Sequence, residues 1–404
     1  MTEINLDSLS DISLLTLPVA PVGIIALTSS QEIGQRVNDY LLHWRDDQDN
    51  TNDFYYTVPG FNRHTFLLDA ECPRFGTGEA KGILRQSIRG YDLYIIVDVG
   101  NYGVTYNIYN QEIPMTPDEH FADLKRIIAA ASGKARRVNV IMPLLYASRQ
   151  HRRSSRESLD CALALQELER MGIDNIITFD AHDPRVQNAV PMLSFESIRP
   201  SYQILKALFK EKEDLKLHKD HMMVVSPDEG GLDRNIYFAT MLGLDMGMFY
   251  KRRDYTRVVN GRNPIIAHEY IGSSVEGKDI LIADDIISSG ESMLDIAREL
   301  KRRKAARIFV GVTFAFFTSG LDEFKEAYEE GIIDLVLSTN VTYRTPELLA
   351  QPWFVDVDLS KYIALIIATL NHNRSMSPLL SPVDRINRLL KRYRKAQKEA
   401  GFIY

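Results

Sequence analysis

Seven short apolar runs limit how this chain can fold. They are VGIIAL (22–27), LYIIVDV (93–99), VNVIMPL (138–144), NIITFDA (175–181), MMVVSP (222–227), ILIADDII (280–287) and IFVGVTFAF (308–316). They do not alternate apolar with polar residues as half-solvated strands do, so they read as strands covered on both faces. Helical-period stretches lie between them, among them 118–131, 158–172 and 292–305. Unalternated strands separated by amphipathic helices predict an α/β class with central parallel sheets. At 404 residues the chain is long enough for two or three domains.

A faint internal duplication points to two related halves. VNVIMPLLYASRQ and MMVVSPDEGGLDR both read as strand, proline, polar loop, while NIITFDAHD and ILIADDIISSGES both read as strand, aspartate, polar loop. The second half is the longer, and its surplus includes the basic segment KRRDYTR. Near the C-terminus, 383–398 places Val383, Ile386, Leu389, Leu390 and Tyr393 at helical spacing among seven Arg and Lys residues. That predicts a basic helical tail over 374–404, docked on the surface or offered to a partner.

Charge and cysteine content exclude several classes. The formal net charge is −6, which argues against a general nucleic-acid binder and leaves any polyanionic ligand to local cations, helix N-termini or metal ions. Cys72 and Cys161 have no CxxC spacing, so neither a disulfide framework nor a cysteine zinc site is expected, and a reducing cytoplasm is the simplest setting. No apolar run reaches the about 18 residues of a membrane span. The acidic start MTEINLDSLSD does not read as a signal peptide.

The densest chemistry lies in LIADDIISSGES, 281–292. An apolar strand ends in Asp284 and Asp285, and then Ser288, Ser289, Gly290, Glu291 and Ser292 lead into a helix. Ligands of open α/β sheets bind at the carboxyl ends of strands. A small-residue loop opening a helix presents N–H groups to a phosphate, and paired carboxylates accept from vicinal hydroxyls or hold a metal. Phosphate plus vicinal diol describes a ribose 5-phosphate group. A second motif, VVSPDEGGLDRN (224–235), places Asp228 beside Gly230 and Gly231, with Arg234 following. The glycines allow close backbone approach. Arg234 supplies a donor fork for phosphate oxygens, and a carboxylate there suits a magnesium ion bridging phosphates. A third, MFYKRRDY (248–255), puts Lys251, Arg252 and Arg253 after a strand-like run. The segment GSSVEGK (272–278) mimics a P-loop but is followed by Asp279 and leads into a strand, so no phosphate cradle is expected there.

These motifs, in this order, resemble the ribose-phosphate pyrophosphokinase (PRPP synthetase) family of the type I phosphoribosyltransferase superfamily. The 281–292 segment is similar to the superfamily's ribose-phosphate loop, with Glu291 where many members have a smaller residue. The 224–235 segment resembles the family's pyrophosphate loop, and Lys251 and Arg253 match its catalytic Lys-x-Arg. In the first half RFGTGEAKG (74–82) resembles a Phe-x-Asn-Gly-Glu segment, keeping Phe75 and Glu79 and putting Thr77 for Asn. PLLYASRQHRRSSRES (143–158) resembles a Tyr-Ala-Arg-Gln-Asp loop, with Arg149 and Gln150 as the ATP-contacting pair, Ser148 inserted and His151 in place of Asp. Asp180 and His182 match an Asp-Leu-His segment. FVDVDLSKYIALIIATL (354–370) matches a returning element near the family's C-terminus.

The resemblance covers roughly 22–373 and implies two tandem phosphoribosyltransferase-type domains. The expected division is an ATP-side domain over 1–198, completed by 354–373, a ribose 5-phosphate-side domain over 199–353, and the tail. It implies that magnesium–ATP and ribose 5-phosphate give PRPP and AMP. Lys251 and Arg253 would be catalytic. Phe75, Thr77, Glu79, Arg149, Gln150 and His182 would bind ATP, with His182 and Asp228 placing Mg2+. It also implies a cytoplasmic homo-oligomer built from dimers, up to hexamers, acting on small molecules and on neither nucleic acid nor membrane. Three other readings stay open: a phosphoribosyltransferase that consumes PRPP, a non-catalytic regulatory homologue, and an interaction protein.

Overall fold

The computed structural model describes residues 18–49, 63–131, 133–153, 156–253 and 265–401, and its contacts divide into two units. The first unit carries a five-stranded sheet: β1 (Val22–Ala26), β2 (Asp92–Ile96), β3 (Arg137–Ile141), β4 (Asn175–Phe179) and β5 (Ser194–Ile198). These strands lie side by side in chain order and are all parallel. Parallel neighbours need crossovers, supplied here by α1 (Gln31–Asp49), α2 (Pro117–Ala131) and α3 (Asp160–Arg170). The core packs Ile25, Leu93, Ile95 and Val140 of the sheet against Leu124, Ile127, Leu165 and Leu168 of the helices. Each fully buried aliphatic side chain contributes about 1.5–3 kcal/mol relative to exposure.

The second unit opens with α4 (Ser201–Glu211) and carries seven strands. They are β6 (Met222–Ser226), β7 (Asp245–Arg253), β8 (Ile265–Ile271), β9 (Asp279–Ile287), β10 (Ile308–Ala315), β11 (Leu335–Thr339) and β12 (Phe354–Val357). Helices α5 (Leu232–Leu242), α6 (Glu291–Arg302) and α7 (Asp322–Glu329) connect them. The spatial order is β8-β7-β6-β9-β10-β11-β12, antiparallel only at β7–β8. The chain leaves β6 towards β7 on one side and returns on the other side as β9. Strand order therefore reverses between β6 and β9, and the loops after both strands flank that point, where doubly wound sheets bind ligands.

Two boundaries differ from the sequence expectation. Residues 354–357 join the second sheet as β12, with Val336 opposite Phe354 and Leu337 opposite Val355. Residues 340–343, before β12, already belong to the first unit, and the longer return starts after β12, at Asp358. There α8 (Ser360–Asn371) packs on α1, and Asn371 donates to Asp92 and to the Ala20 carbonyl, both at 2.9 Å. The tail is not a separate body. Residues 374–381 stay with the first unit, and α9 (Val383–Glu399) packs on α4 and α5 of the second. Its apolar stripe explains this: Ile386, Leu390 and Tyr393 are buried, Tyr393 stacks on Phe209 at 4.4 Å, and its hydroxyl donates to the Lys212 carbonyl at 2.7 Å. The segment 272–278 runs from β8 into β9 and opens no helix, as expected of a P-loop mimic. No helix among the described residues is long and apolar enough to cross a membrane.

Candidate active site

The motifs of the second unit converge at the reversal between β6 and β9. β9 runs through Asp284 and Asp285 to Ile287, the last residue of the apolar run at 280–287. Both carboxylates therefore sit on strand backbone. Asp285 is buried, and Asp284 retains partial access. Arg234, in the first turn of α5, lies 3.3 Å from Asp284 through Nη1. Burial, and the Asp285 carboxyl next to it, push the Asp284 carboxyl well above the usual carboxylate range, and Arg234 only partly offsets this.

After β9, Ser288 and Ser289 lead to Gly290, whose φ of 95° is left-handed. A Cβ there would sit 2.3 Å from the Phe324 ring, so glycine is required on both counts. Gly290 caps α6, whose first-turn N–H groups have no intrahelical acceptors and mark an anion-binding end. Glu291 and Ser292 are exposed on that turn, while Thr318 N–H ties the loop down through the Ser288 carbonyl at 2.9 Å.

The diphosphate-type loop after β6 is shaped by its own bonds. Gly231 N–H donates to Asp228 Oδ1 at 3.1 Å, and Ser226 Oγ donates to the Asp228 carbonyl at 2.7 Å. Gly230 is exposed at the tip. Lys251 and Arg253 end β7, opposite His268 and Ile265 of β8, with a register shift between Arg252 and Arg253. Their side chains lie outside the described residues.

In the first unit the loops after β3 and β4 meet at one end of the sheet. Ala147 adopts a φ of 54°, and Gln150 N–H returns to the Ala147 carbonyl at 2.8 Å, so Arg149 and Gln150 project as an exposed turn. Tyr146 anchors its base by stacking on Phe121 at 4.3 Å and donating to Asp118 at 2.8 Å. His182, after β4, is exposed, and its ring is 5.4 Å from that of His151. The two departures from the family pattern in this loop are in contact with each other. His151 Nδ1 lies 3.2 Å from the carbonyl of the inserted Ser148, and its Nε2 lies 3.5 Å from Asp183. Hydrogen bonds from Arg185 hold the Asp183 carboxyl down at about 2.

Phe75, Thr77 and Glu79 occupy a separate hairpin tip. Phe75 N–H donates to the Glu79 carbonyl at 2.7 Å, Thr77 Oγ1 donates to Glu79 at 3.2 Å, and Phe75 is 53% exposed, open to stack on a base. Arg74 fixes the hairpin to α2 through a two-pronged bond to Asp123 at 2.7 and 2.9 Å.

Comparisons with known proteins agree with this architecture. The model of the N-terminal domain of ribose phosphate pyrophosphokinase matches residues 22–172, and that of the phosphoribosyl transferase domain matches 192–330. The chain belongs to the ribose-phosphate pyrophosphokinase family. A family member from Vibrio parahaemolyticus is 27% identical over 319 residues, covering 78% of this chain and 92% of its own. One from Mycoplasma genitalium is 26% identical over 310 residues, covering 76% and 85%. The crystal structure of phosphoribosylpyrophosphate synthetase from Mycobacterium smegmatis superposes with a TM-score of 0.67 at 19% identity, covering 87% of this chain and 99% of that one. At that identity it speaks to the fold.

Seen as a ribose-phosphate pyrophosphokinase family chain, the molecule carries one site residue that sequence reasoning passed over. Asn235, next to Arg234, is fully buried and bonded to the loop after β6 and to strand β9 across the reversal. A polar residue on the buried side of α5 was its only sequence signal. As for a metal, no group of three or more His, Cys, Asp or Glu forms a cage among the described residues. The carboxylates of Asp228 and Asp284 are hard oxygen donors. They fit Mg2+ in its usual mode, held by one or two carboxylates and completed by substrate phosphates and water.

Proposed function

We propose that this chain is a ribose-phosphate diphosphokinase that uses Mg2+–ATP and ribose 5-phosphate. The observation that carries the reading is the Arg234–Asp284 contact at the strand-order reversal. It joins a loop suited to a diphosphate to a carboxylate pair suited to a diol, beside a helix N-terminus suited to a phosphate.

In this reading the 5-phosphate rests on the 288–292 loop, taking N–H groups of Gly290, Glu291 and Ser292 and the hydroxyls of Ser288 and Ser289. Asp284 and Asp285 accept from the ribose hydroxyls and thereby aim the anomeric hydroxyl. That oxygen attacks the β-phosphorus of ATP, the bridge between the α- and β-phosphates breaks, AMP leaves, and the hydroxyl proton passes to solvent. Arg234 and the Asp228–Gly231 loop hold the diphosphoryl group, and Lys251 and Arg253 stabilise the charge that builds on it. Phe75, Thr77, Glu79, Arg149 and Gln150 hold the nucleotide. Asp228 would hold Mg2+, which would supply charge neutralisation on the phosphates, and His182 belongs with the nucleotide-binding residues of the first unit. Such chemistry depends mainly on alignment and electrostatics.

The deciding assay is AMP formation by purified protein. AMP is expected only when ATP, ribose 5-phosphate and Mg2+ are all present, with PRPP produced in equal amount. AMP without ribose 5-phosphate, or no AMP under any condition, overturns the reading; the latter result fits a regulatory homologue.

A further inference from the structure

The carboxyl end of β6 creates a hydrogen-bonding problem next to the site. The β6–β9 register ends at Val225 opposite Ile282. Pro227 then turns the chain away and has no N–H to offer. β9 runs on, so at Ala283 it has lost its strand neighbour on that side. Ala283 is buried, and a buried peptide group needs partners.

Asn235 supplies them. Its Oδ1 accepts from Ala283 N–H at 3.0 Å, and its Nδ2 donates to the Ala283 carbonyl at 2.8 Å. The side-chain amide does for Ala283 what a peptide group of a longer β6 would do. The same nitrogen donates to the Gly231 carbonyl at 2.8 Å and lies 3.3 Å from Ser226 Oγ. It has only two hydrogens, so the two 2.8 Å bonds use them and the Ser226 contact is the weaker, shared one. Ser226 Oγ passes the link on to the Asp228 carbonyl at 2.7 Å. Gly231 is tight against this network: a Cβ there would sit 3.2 Å from Ser226 Oγ and 3.3 Å from Asn235 Nδ2. One buried amide thus bonds to the strand that carries Asp284 and to both ends of the loop that carries Asp228.

We infer that Asn235 is a positioning residue. It substitutes for a missing strand and so fixes the Asp228 loop relative to Asp284, with Ser226 as the relay. Being buried, it acts through these neighbours and not by touching substrate. The inference rests on the diphosphokinase reading for its kinetic consequences, but its geometry does not.

Three variants test it: Asn235→Ala, Ser226→Ala and the double. The readouts are kcat and KM for ribose 5-phosphate-dependent AMP formation, amide exchange at Ala283, and Tm. Misplacing a loop by a fraction of an ångström to an ångström costs on the order of 10–100-fold in rate. Asn235→Ala is therefore expected to lower kcat by about that factor and to accelerate Ala283 exchange. Ser226→Ala keeps both Ala283 bonds, so its Ala283 exchange should match wild type while kcat still falls several-fold. The double should be no slower than Asn235→Ala, because both remove one path. If Asn235→Ala shifts Tm and exchange but leaves kcat and KM within twofold, the residue is merely structural and the inference fails. A kinetically silent Ser226→Ala overturns the relay. Should Asn235→Ala not fold, Ser226→Ala and Asn235→Ser carry the same test. A wild type without the activity sinks the functional reading instead. Calorimetry with magnesium pyrophosphate then decides this inference, which fails if Ser226→Ala binds the probe as wild type does.

Discussion

Arg234 Nη1 lies 3.3 Å from Asp284 Oδ1, bridging 50 residues of sequence at the point where the second sheet reverses its strand order. The guanidinium is the cation facing a carboxylate that burial and Asp285 make costly to ionise. It therefore has two expected tasks: to hold Asp284 in place and to meet an incoming diphosphate. Arg234→Ala should lower kcat/KM for ribose 5-phosphate by on the order of 10²–10³. Arg234→Lys keeps the charge but loses the planar fork, and should recover only part of that loss. Full activity in the lysine variant would show that the fork is not needed.

Lys251 separates binding from chemistry. It ends β7, near the reversal but outside the carboxylate pair and the phosphate loop. If it stabilises charge that appears only as the diphosphoryl group moves, Lys251→Ala should cut kcat by on the order of 10²-fold while the affinity for ribose 5-phosphate changes little. Single-turnover kinetics with a separate ribose 5-phosphate titration measures both. Equal losses would place Lys251 in ground-state binding.

Gly290 carries two constraints that a pair of variants can separate. The left-handed backbone of a non-glycine residue costs about 1–3 kcal/mol, and the clash with Phe324 adds to it. Gly290→Ala should lower Tm and raise KM for ribose 5-phosphate while sparing ATP affinity. Adding Phe324→Leu should restore part of the stability, because it relieves the clash and not the strain. A double variant no more stable than the single would mean that the loop has already moved off Phe324.

The sequence reading located these loops because parallel strands announce themselves locally. Unbroken apolar runs, followed by Pro227 or by Asp284 and Asp285, need no knowledge of distant residues to be read. It could not show which residues hold the loops in place. Asn235 and Ala283 are 48 positions apart, and an asparagine in an amphipathic helix gives no sign that it completes a strand. The same holds for His151, whose contact with Asp183 crosses from the β3 loop to the β4 loop. The 354–357 segment differs from its sequence expectation for a related reason. FVDV followed by an apolar helix reads as one returning element, and only its register with β11 shows that the strand belongs to the second sheet.

The raised Asp284 carboxyl predicts a trade between stability and function. A carboxyl whose folded pKa lies above its unfolded value of 3.8 binds its proton more tightly in the native state. Its contribution to stability is complete below 3.8 and is lost as pH rises through the raised value. The cost of ionising Asp284 therefore weighs on the ligand-free protein as pH rises, and Mg2+ or the ribose hydroxyls would relieve it by favouring the ionised form. Asp284→Asn imitates the protonated state. It should be inactive yet melt higher than wild type at pH 7.5, with the difference shrinking as pH falls towards 4. Ribose 5-phosphate with Mg2+ should release protons on binding to wild type, seen as a buffer-dependent calorimetric enthalpy, and release fewer on binding to the variant. An Asp284→Asn protein that is less stable at every pH would mean that Arg234, deprived of its partner, costs more than the carboxylate pair did.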